Sequence, residues 1–205
     1  MNALLDSVRE LILRGGPVMW PLLALSLLSV TLVIERAVYW MSAHRPGRPQ
    51  WVLDVADRLR AGDEAGVRAI IARDGTIYAR VVRSILGAPR HEELAVDITE
   101  RHRREVERFG TSLSTIITAA PLLGILGTVT GIIRSFDLLG QTRHIADIES
   151  VATGVAEALI TTAFGLIIAL VALFPYMVYR AQSDRLMGAI DLLSASHLAS
   201  GRPRG

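Results

Sequence analysis

The sequence predicts an all-α, polytopic membrane protein with three transmembrane helices, of which the second and third extend into the cytoplasm. Three observations support this fold class. Apolar residues make up 51% of the 205 residues. Three long apolar stretches are almost free of charge, and the charged residues collect between and after them. An apolar stretch of about 20 residues crosses the hydrocarbon core of a bilayer as a helix.

The first span is predicted at residues 17–41, where only Glu35 and Arg36 interrupt the apolar run. The run is long for a signal peptide and no small-residue cleavage site follows it, so we expect a retained helix. Trp20 and Trp40 lie near its two ends, where tryptophans anchor helices at the membrane interface. We expect Glu35 and Arg36 to form a further interfacial anchor.

The second and third spans are predicted from uncharged runs at residues 111–133 and 158–179. Each run would be about 33 Å long as a helix, which matches a bilayer core. The predicted layout is an N-terminal extracytoplasmic segment (1–16), span one (17–41), a cytoplasmic helical segment (42–110), span two (111–134), an extracytoplasmic link (135–154), span three (155–179) and a cytoplasmic C-terminal helix and tail (180–205).

Arginines near the span ends predict the orientation, because arginine-rich segments stay in the cytoplasm. They concentrate between spans one and two and recur after span three, at Arg45, Arg48, Arg58, Arg101, Arg103, Arg104, Arg108, Arg180 and Arg185. The N-terminus and the 135–154 link are therefore expected on the opposite side of the membrane.

The segment 42–110 carries apolar residues at helical spacing in three short runs, at 51–61, 67–71 and 78–86. Glycines follow these runs and predict that each helix stops there. Residues 91–109 form a charged run with no obvious breaker before span two. We therefore expect one continuous helix from the charged run into span two, and a similar continuation of span three through residues 181–197.

Spans two and three each carry a stripe of small residues. Gly124, Gly127, Thr128 and Gly131 follow the spacing i, i+3, i+4, i+7, close to Pro121, and a similar stripe contains Ala158, Thr161, Thr162 and Gly165. Small residues let helix backbones approach closely inside lipid, and threonine hydroxyls bond across the contact. The stripes predict helix packing against protein, and two interpretations stay open: packing alone, or packing together with a polar ion path.

Glu157 is the carboxylate that opens span three. It is either an interfacial carboxylate near a helix end or a member of an ion path, since ionisable groups at membrane depth are costly and usually functional. No Asp, Glu, His, Lys or Arg occurs in the middle of any span. If protons cross at this protein, a partner helix has to supply the carboxylate at the midplane.

The stretch APLLGILGTVTGI at residues 120–132, followed by Phe136, closely resembles the second-span motif of the ExbB/TolQ proton-channel proteins, relatives of the flagellar stator subunit MotA. AEALITTAFGL at 156–166 resembles their third-span motif, and the ER pair at 35–36 also fits. The absence of a fourth span favours the ExbB/TolQ side. The family's span-three proline would fall near Val171, whereas this chain has Pro175.

The resemblance implies a pentamer in the bacterial inner membrane, around a dimer of single-span ExbD- or TolR-like subunits that contribute an aspartate. Proton flow would drive motion that reaches the outer membrane through a TonB- or TolA-like protein. The polar threonines of the family fall on Thr128 and Thr162, beside Thr161, and its glutamate falls on Glu157. Pro121, Gly124, Gly127, Gly131 and Gly165 would serve helix packing.

Two alternatives compete with a proton-driven motor subunit. The first is a non-conducting membrane scaffold of an envelope complex. The second is an enzyme, which the motifs disfavour: the histidines lie outside the spans without metal-ligand spacing, cysteine is absent, and no phosphate loop or nucleophile motif is present. We expect no cofactor, no metal site and no nucleic-acid partner.

Overall fold

The computed structural model of the chain describes residues 15–43, 48–87, 92–141 and 147–200. All the regular structure in these ranges is helical. The helices are α1 (Met19–Ala43), α2 (Arg48–Ala61), α3 (Glu64–Ile71), α4 (Ile77–Leu86), α5 (Glu92–Val106), α6 (Gly110–Gln141) and α7 (Asp147–Ala199). The first 14 residues of the predicted N-terminal segment, residues 44–47 and 88–91 of the predicted cytoplasmic segment, residues 142–146 of the link and residues 201–205 of the tail lie outside the described residues.

Three helices are long and apolar enough to cross a membrane, at Met19–Met41, Gly110–Asp137 and Val151–Ala199. The number and order of these candidate spans agree with the three predicted from the sequence. The helix of span three continues without interruption to residue 199, as the sequence predicted, and Pro175 lies inside it. At 1.5 Å per residue, α7 is about 80 Å long, well beyond the thickness of a bilayer core.

The chain divides into two compact units. The first unit contains the described residues of 15–34 and 111–176, and the second contains those of 35–110 and 177–200. The first unit includes most of the apolar spans and the small-residue stripes. The second unit has a hydrophobic core of its own, built mainly from α2, α4 and the C-terminal part of α7.

Helices α2, α3 and α4 of the second unit form where the apolar spacing predicted them. Gly62 ends α2 with a φ of 74°, a left-handed conformation that glycine adopts without strain. Asp63 then caps α3, because its carboxylate accepts a hydrogen bond of 2.9 Å from the backbone N–H of Gly66. This bond, and the neighbouring Arg58, hold the pKa of Asp63 below its ordinary value.

Trp40 is not an interfacial anchor. Its side chain is 3% exposed and belongs to the core of the second unit. Its ring meets the ring of Tyr39 edge to face, with 5.4 Å between the ring centroids. Trp20, by contrast, is 68% exposed, as an anchor on a membrane surface requires.

The prediction of one continuous helix from the charged run into span two is wrong. Helix α5 ends at Val106, residues 107–109 form a turn, and α6 begins at Gly110. Phe109 has a φ of 64°, the only positive φ of a non-glycine residue in the described part of the chain. A bulky side chain rarely adopts this conformation unless surrounding contacts hold it.

Arg36 supplies such contacts at the turn. Its guanidinium donates a hydrogen bond of 3.4 Å to the carbonyl of Val106 and lies over the rings of Tyr39 and Phe109, at 4.6 and 5.5 Å from their centroids. It also forms a two-point ion pair with Glu35, at 2.6 and 3.0 Å. Arg36 is 3% exposed. The predicted interfacial anchor is therefore wrong for this residue, which is buried in protein.

Candidate functional site

The small residues of α6 and α7 lie in a close backbone contact within the first unit. A Cβ atom added to Gly124 would lie 2.9 Å from the Cα of Thr162, and one added to Gly131 would lie 2.7 Å from the Cβ of Ala158. Cβ atoms at Gly127 and Gly165 would overlap with Thr161 and with the carbonyl of Ala120. These four glycines therefore face α7 or α6 at distances that leave no room for a side chain.

The two predicted threonines of α7 also meet α6. The hydroxyl of Thr162 donates a hydrogen bond of 2.8 Å to the carbonyl of Gly124. Thr161 is 1% exposed, and its hydroxyl donates to the carbonyl of Ala158 at 2.7 Å. Both hydroxyl hydrogens are thus used in bonds to backbone carbonyls, and their lone pairs remain as acceptors.

Thr128 is placed differently from Thr161 and Thr162. Its hydroxyl donates to the carbonyl of Ile125 on its own helix, at 2.7 Å, and its side chain is half-buried. Within the described part of the chain, no hydrogen bond joins Thr128 to Thr162. Pro121 lies one turn before Gly124, inside α6, and is also half-buried.

Glu157 lines a cavity of about 510 Å³ in the first unit, which we call the Glu157 cavity. Backbone and side chains of three segments form it: the turn before α1, the second half of α6 and the start of α7. The lining residues are Gly15, Gly16, Pro17, Val18, Gly127, Thr130, Gly131, Arg134, Ser135, Thr153, Gly154, Glu157 and Ala158.

Two charged side chains line the Glu157 cavity, and they have opposite signs. Neither Arg134 nor Glu157 has an ion-pair partner within 4.0 Å among the described residues. Arg134 is exposed, and its guanidinium would lie 3.9 Å from a Cβ added at Gly16. Among the described residues, the carboxylate and the guanidinium that line the cavity therefore form no ion pair.

Hydroxyl groups complete the polar wall of the cavity. Ser135 donates to the carbonyl of Gly131 at 2.9 Å, and Thr130 donates to the carbonyls of Leu126 and Gly127 at 2.9 and 3.1 Å. Each hydroxyl keeps free lone pairs that can accept a hydrogen bond from water. A carboxylate that can take up a proton thus lies beside oxygen atoms that can guide water toward it.

Sequence reasoning named Glu157 but missed the rest of this cavity. Neither Arg134 nor the turn before α1 belongs to a sequence motif that indicates a site. Gly16 carries a weak signal, because its φ of 64° needs a glycine, and the backbone N–H of Met19 bonds to its carbonyl at 3.1 Å. Among the described residues, no group of three or more His, Cys, Asp or Glu side chains could hold a metal ion.

Comparisons with known proteins identify one family. The model of a family described as the MotA/TolQ/ExbB proton channel family matches residues 75–191. The ExbB-like 3 protein of Synechocystis sp. is 35% identical over 176 residues, which are 82% of this chain and 83% of that protein. The ExbB-like 1 protein of the same organism is 38% identical over 81% of this chain and 68% of its own length.

A second group of relatives matches a shorter part of the chain. The Tol-Pal system protein TolQ of Pseudomonas aeruginosa is 41% identical over 88 residues, which are 42% of this chain and 38% of that protein. Glu157, the threonines and the packing glycines all lie within the range that the family model matches. The turn before α1 lies outside that range.

Proposed function

This chain belongs to the MotA/TolQ/ExbB proton channel family, and on that premise we propose that it is the multi-span subunit of a proton-driven motor in the bacterial inner membrane. The family comprises channel and transport-associated proteins rather than enzymes. In the proposed function, an ExbD- or TolR-like single-span partner contributes an aspartate, and proton flow energises an envelope process such as TonB-dependent import or Tol-Pal envelope maintenance.

The observation that carries this proposal is the position of Glu157. Its carboxylate borders a hydroxyl-lined cavity at the edge of the α6–α7 contact rather than an apolar surface. A carboxylate at such a position can accept a proton from water, and the hydroxyls beside it can align the water that delivers it. The packing glycines let α6 and α7 approach closely, so that residues of both helices line the Glu157 cavity.

The proposed arrangement is a homopentamer with the N-terminus in the periplasm. The arginine distribution supports this orientation, with the C-terminal part of α7 and helices α2–α5 in the cytoplasm. Exposed apolar side chains on both α6 and α7, such as Ile125, Val129, Leu166 and Leu170, leave room for contacts with neighbouring copies, the partner and lipid. Native mass spectrometry of the purified chain tests the subunit count.

Proton flux in proteoliposomes tests the function itself. The chain would be reconstituted with its aspartate-bearing partner, a potassium gradient with valinomycin would drive protons, and a pH-sensitive dye would report their entry. We expect flux only when both proteins are present. We expect Glu157→Gln to lower it about a hundred-fold, within the range for loss of a positioned proton-transfer group.

Matched variants separate chemistry from folding in this assay. Thr162→Val keeps the size of the side chain but removes the hydroxyl, so we expect reduced flux, while Thr162→Ser should retain most of it. Glu100→Gln removes an exposed carboxylate in the second unit and should change nothing. Wild-type flux in both Glu157→Gln and Thr162→Val would show that these residues are not on the path.

One observation favours the alternative of a non-conducting scaffold. The hydroxyl hydrogens of Thr161 and Thr162 are both used in bonds to backbone carbonyls, which is what packing alone would require. A scaffold would form the same oligomer but pass no protons with any partner. The envelope process that depends on such a scaffold would then continue in the presence of a protonophore, at a concentration that does not stop growth.

A further inference from the structure

The Glu157 cavity contains a positive charge that proton transfer does not require. Arg134 lines the same cavity as Glu157 and has no ion-pair partner within 4.0 Å among the described residues. An arginine keeps its charge at every physiological pH. Its guanidinium is therefore a permanent cation facing the space from which an ion would approach the carboxylate.

Without that charge, the cavity would suit a hard cation such as sodium. Such ions are held by several oxygen atoms at once, from carboxylates, hydroxyls, carbonyls and water. The cavity offers the carboxylate of Glu157 and the hydroxyls of Thr130, Ser135 and Thr153. A cavity of about 510 Å³ also has room for several water molecules.

We propose that Arg134 is a specificity-determining residue, which excludes sodium from the Glu157 cavity and leaves the carboxylate to protons. This inference rests on the proposed function, since it concerns the ion that the path carries. A proton can travel along water and bind a single carboxylate oxygen by a covalent bond. A sodium ion has to gather several oxygens while it shares the cavity with a fixed cation.

The size of the cavity sets the magnitude of the effect. A sphere of 510 Å³ has a radius of about 5 Å, so any ion inside it lies within about 10 Å of the guanidinium. Across that distance, at an effective dielectric constant of about 20, removal of one unit charge changes the affinity for a monovalent cation about ten-fold. We therefore expect sodium affinity to rise about ten-fold when Arg134 loses its charge.

The test measures sodium binding to the full-length chain alone, by the ²³Na NMR line width in a non-ionic detergent. Wild type, Arg134→Gln, Arg134→Lys and the double variant Arg134→Gln/Glu157→Gln would be titrated with NaCl at constant ionic strength. Arg104→Gln, which removes an exposed arginine in the second unit, is the matched control. Native mass spectrometry would show that each variant keeps the wild-type oligomer, and Arg134→Met serves as a second neutral variant.

We expect saturable line broadening in Arg134→Gln that disappears in the double variant, and about ten-fold weaker sodium binding in wild type, Arg134→Lys and Arg104→Gln. The inference is overturned if both neutral variants bind sodium no more tightly than wild type does. It is also overturned if the sodium binding of Arg134→Gln persists in the double variant, because the bound ion would then not depend on Glu157. The sodium-binding experiment does not measure proton flux. An absence of flux in proteoliposomes would therefore refute the proposed function and leave the sodium-binding result for Arg134 to be decided separately.

Discussion

The substitution Arg36→Ala should destabilise the second unit strongly, because one side chain holds the turn between α5 and α6. The guanidinium of Arg36 bonds to the carbonyl of Val106 and lies over the ring of Phe109, whose φ is 64°. Alanine removes all of these contacts at once. It also leaves a space in the protein where the buried stem of the arginine packed.

Summing the lost contacts gives the expected magnitude. The charged hydrogen bond to Val106, long at 3.4 Å, contributes about 1 kcal/mol, and the contacts with the rings of Tyr39 and Phe109 add about 0.5 to 1 kcal/mol each. The ion pair with Glu35 adds less than about 1 kcal/mol, since Glu35 is 42% exposed. The substitution also removes the free-energy cost of burying a charge, which offsets part of the loss in stability. The net loss is about 2 kcal/mol, which lowers the melting temperature by about 6 °C.

Tryptophan fluorescence during heating in detergent measures this loss. Trp40 is buried in the second unit and Trp51 packs against the same core, so both report its unfolding. Arg36→Lys keeps the charge but not the planar contacts, and should lose about half as much stability. The control is Arg60→Ala, whose exposed ion pair with Asp57 contributes less than about 1 kcal/mol. If Arg36→Ala melts within about 2 °C of that control, the stabilising role assigned to Arg36 is wrong.

Two further substitutions test a packing contact and a helix cap. Gly124→Val should destabilise the chain by about 1 to 3 kcal/mol, because its Cβ would meet the backbone of α7 at 2.9 Å. The control Gly188→Val should not destabilise it, because a Cβ at that position meets nothing within 4 Å. Equal melting temperatures of the two variants would contradict the assigned contact. Asp63→Asn should destabilise the chain at neutral pH, and this effect should shrink as the pH is lowered into the acidic range. The pKa of Asp63 is lowered in the folded state, so its carboxylate stabilises the fold above its unfolded pKa, and this contribution is lost as the pH falls through the lowered value. A stability difference between wild type and Asp63→Asn that does not change between pH 7 and that acidic range would exclude the charge as its cause.

Local patterns were sufficient for most of the fold. The three spans and helices α2–α4 follow from runs of apolar residues and from helical spacing, which act within a few neighbouring turns. The break before α6 could not be predicted in this way. It depends on Arg36, which is 70 positions from Val106 in sequence, and on a conformation of Phe109 that local preferences oppose. The prediction of Trp40 as an interfacial anchor was wrong for the same reason, because Trp40 is buried by residues distant from it in sequence.

Only part of the candidate site could likewise be predicted from local sequence patterns. Helical spacing placed Gly124 and Gly131 on one face of α6, and the structure places that face against α7. Spacing within one helix could not bring Arg134, Glu157 and the turn at Gly16 together, because that requires the relative positions of three segments. Only the structure shows that Arg134 lines the same cavity as the carboxylate of Glu157.

The hydrogen bond of Thr162 constrains how protons could move beyond Glu157. Its hydroxyl hydrogen is directed at the carbonyl of Gly124, so Thr162 can accept a hydrogen bond but cannot donate one onward without breaking that contact. The middle of each span contains no Asp, Glu, His, Lys or Arg that could take up or release a proton. A proton that enters through the Glu157 cavity therefore has no next carrier within this chain. In the proposed motor, the carboxylate of the partner has to come within reach of Thr162 for flux to occur, which makes conduction depend on the position of the partner.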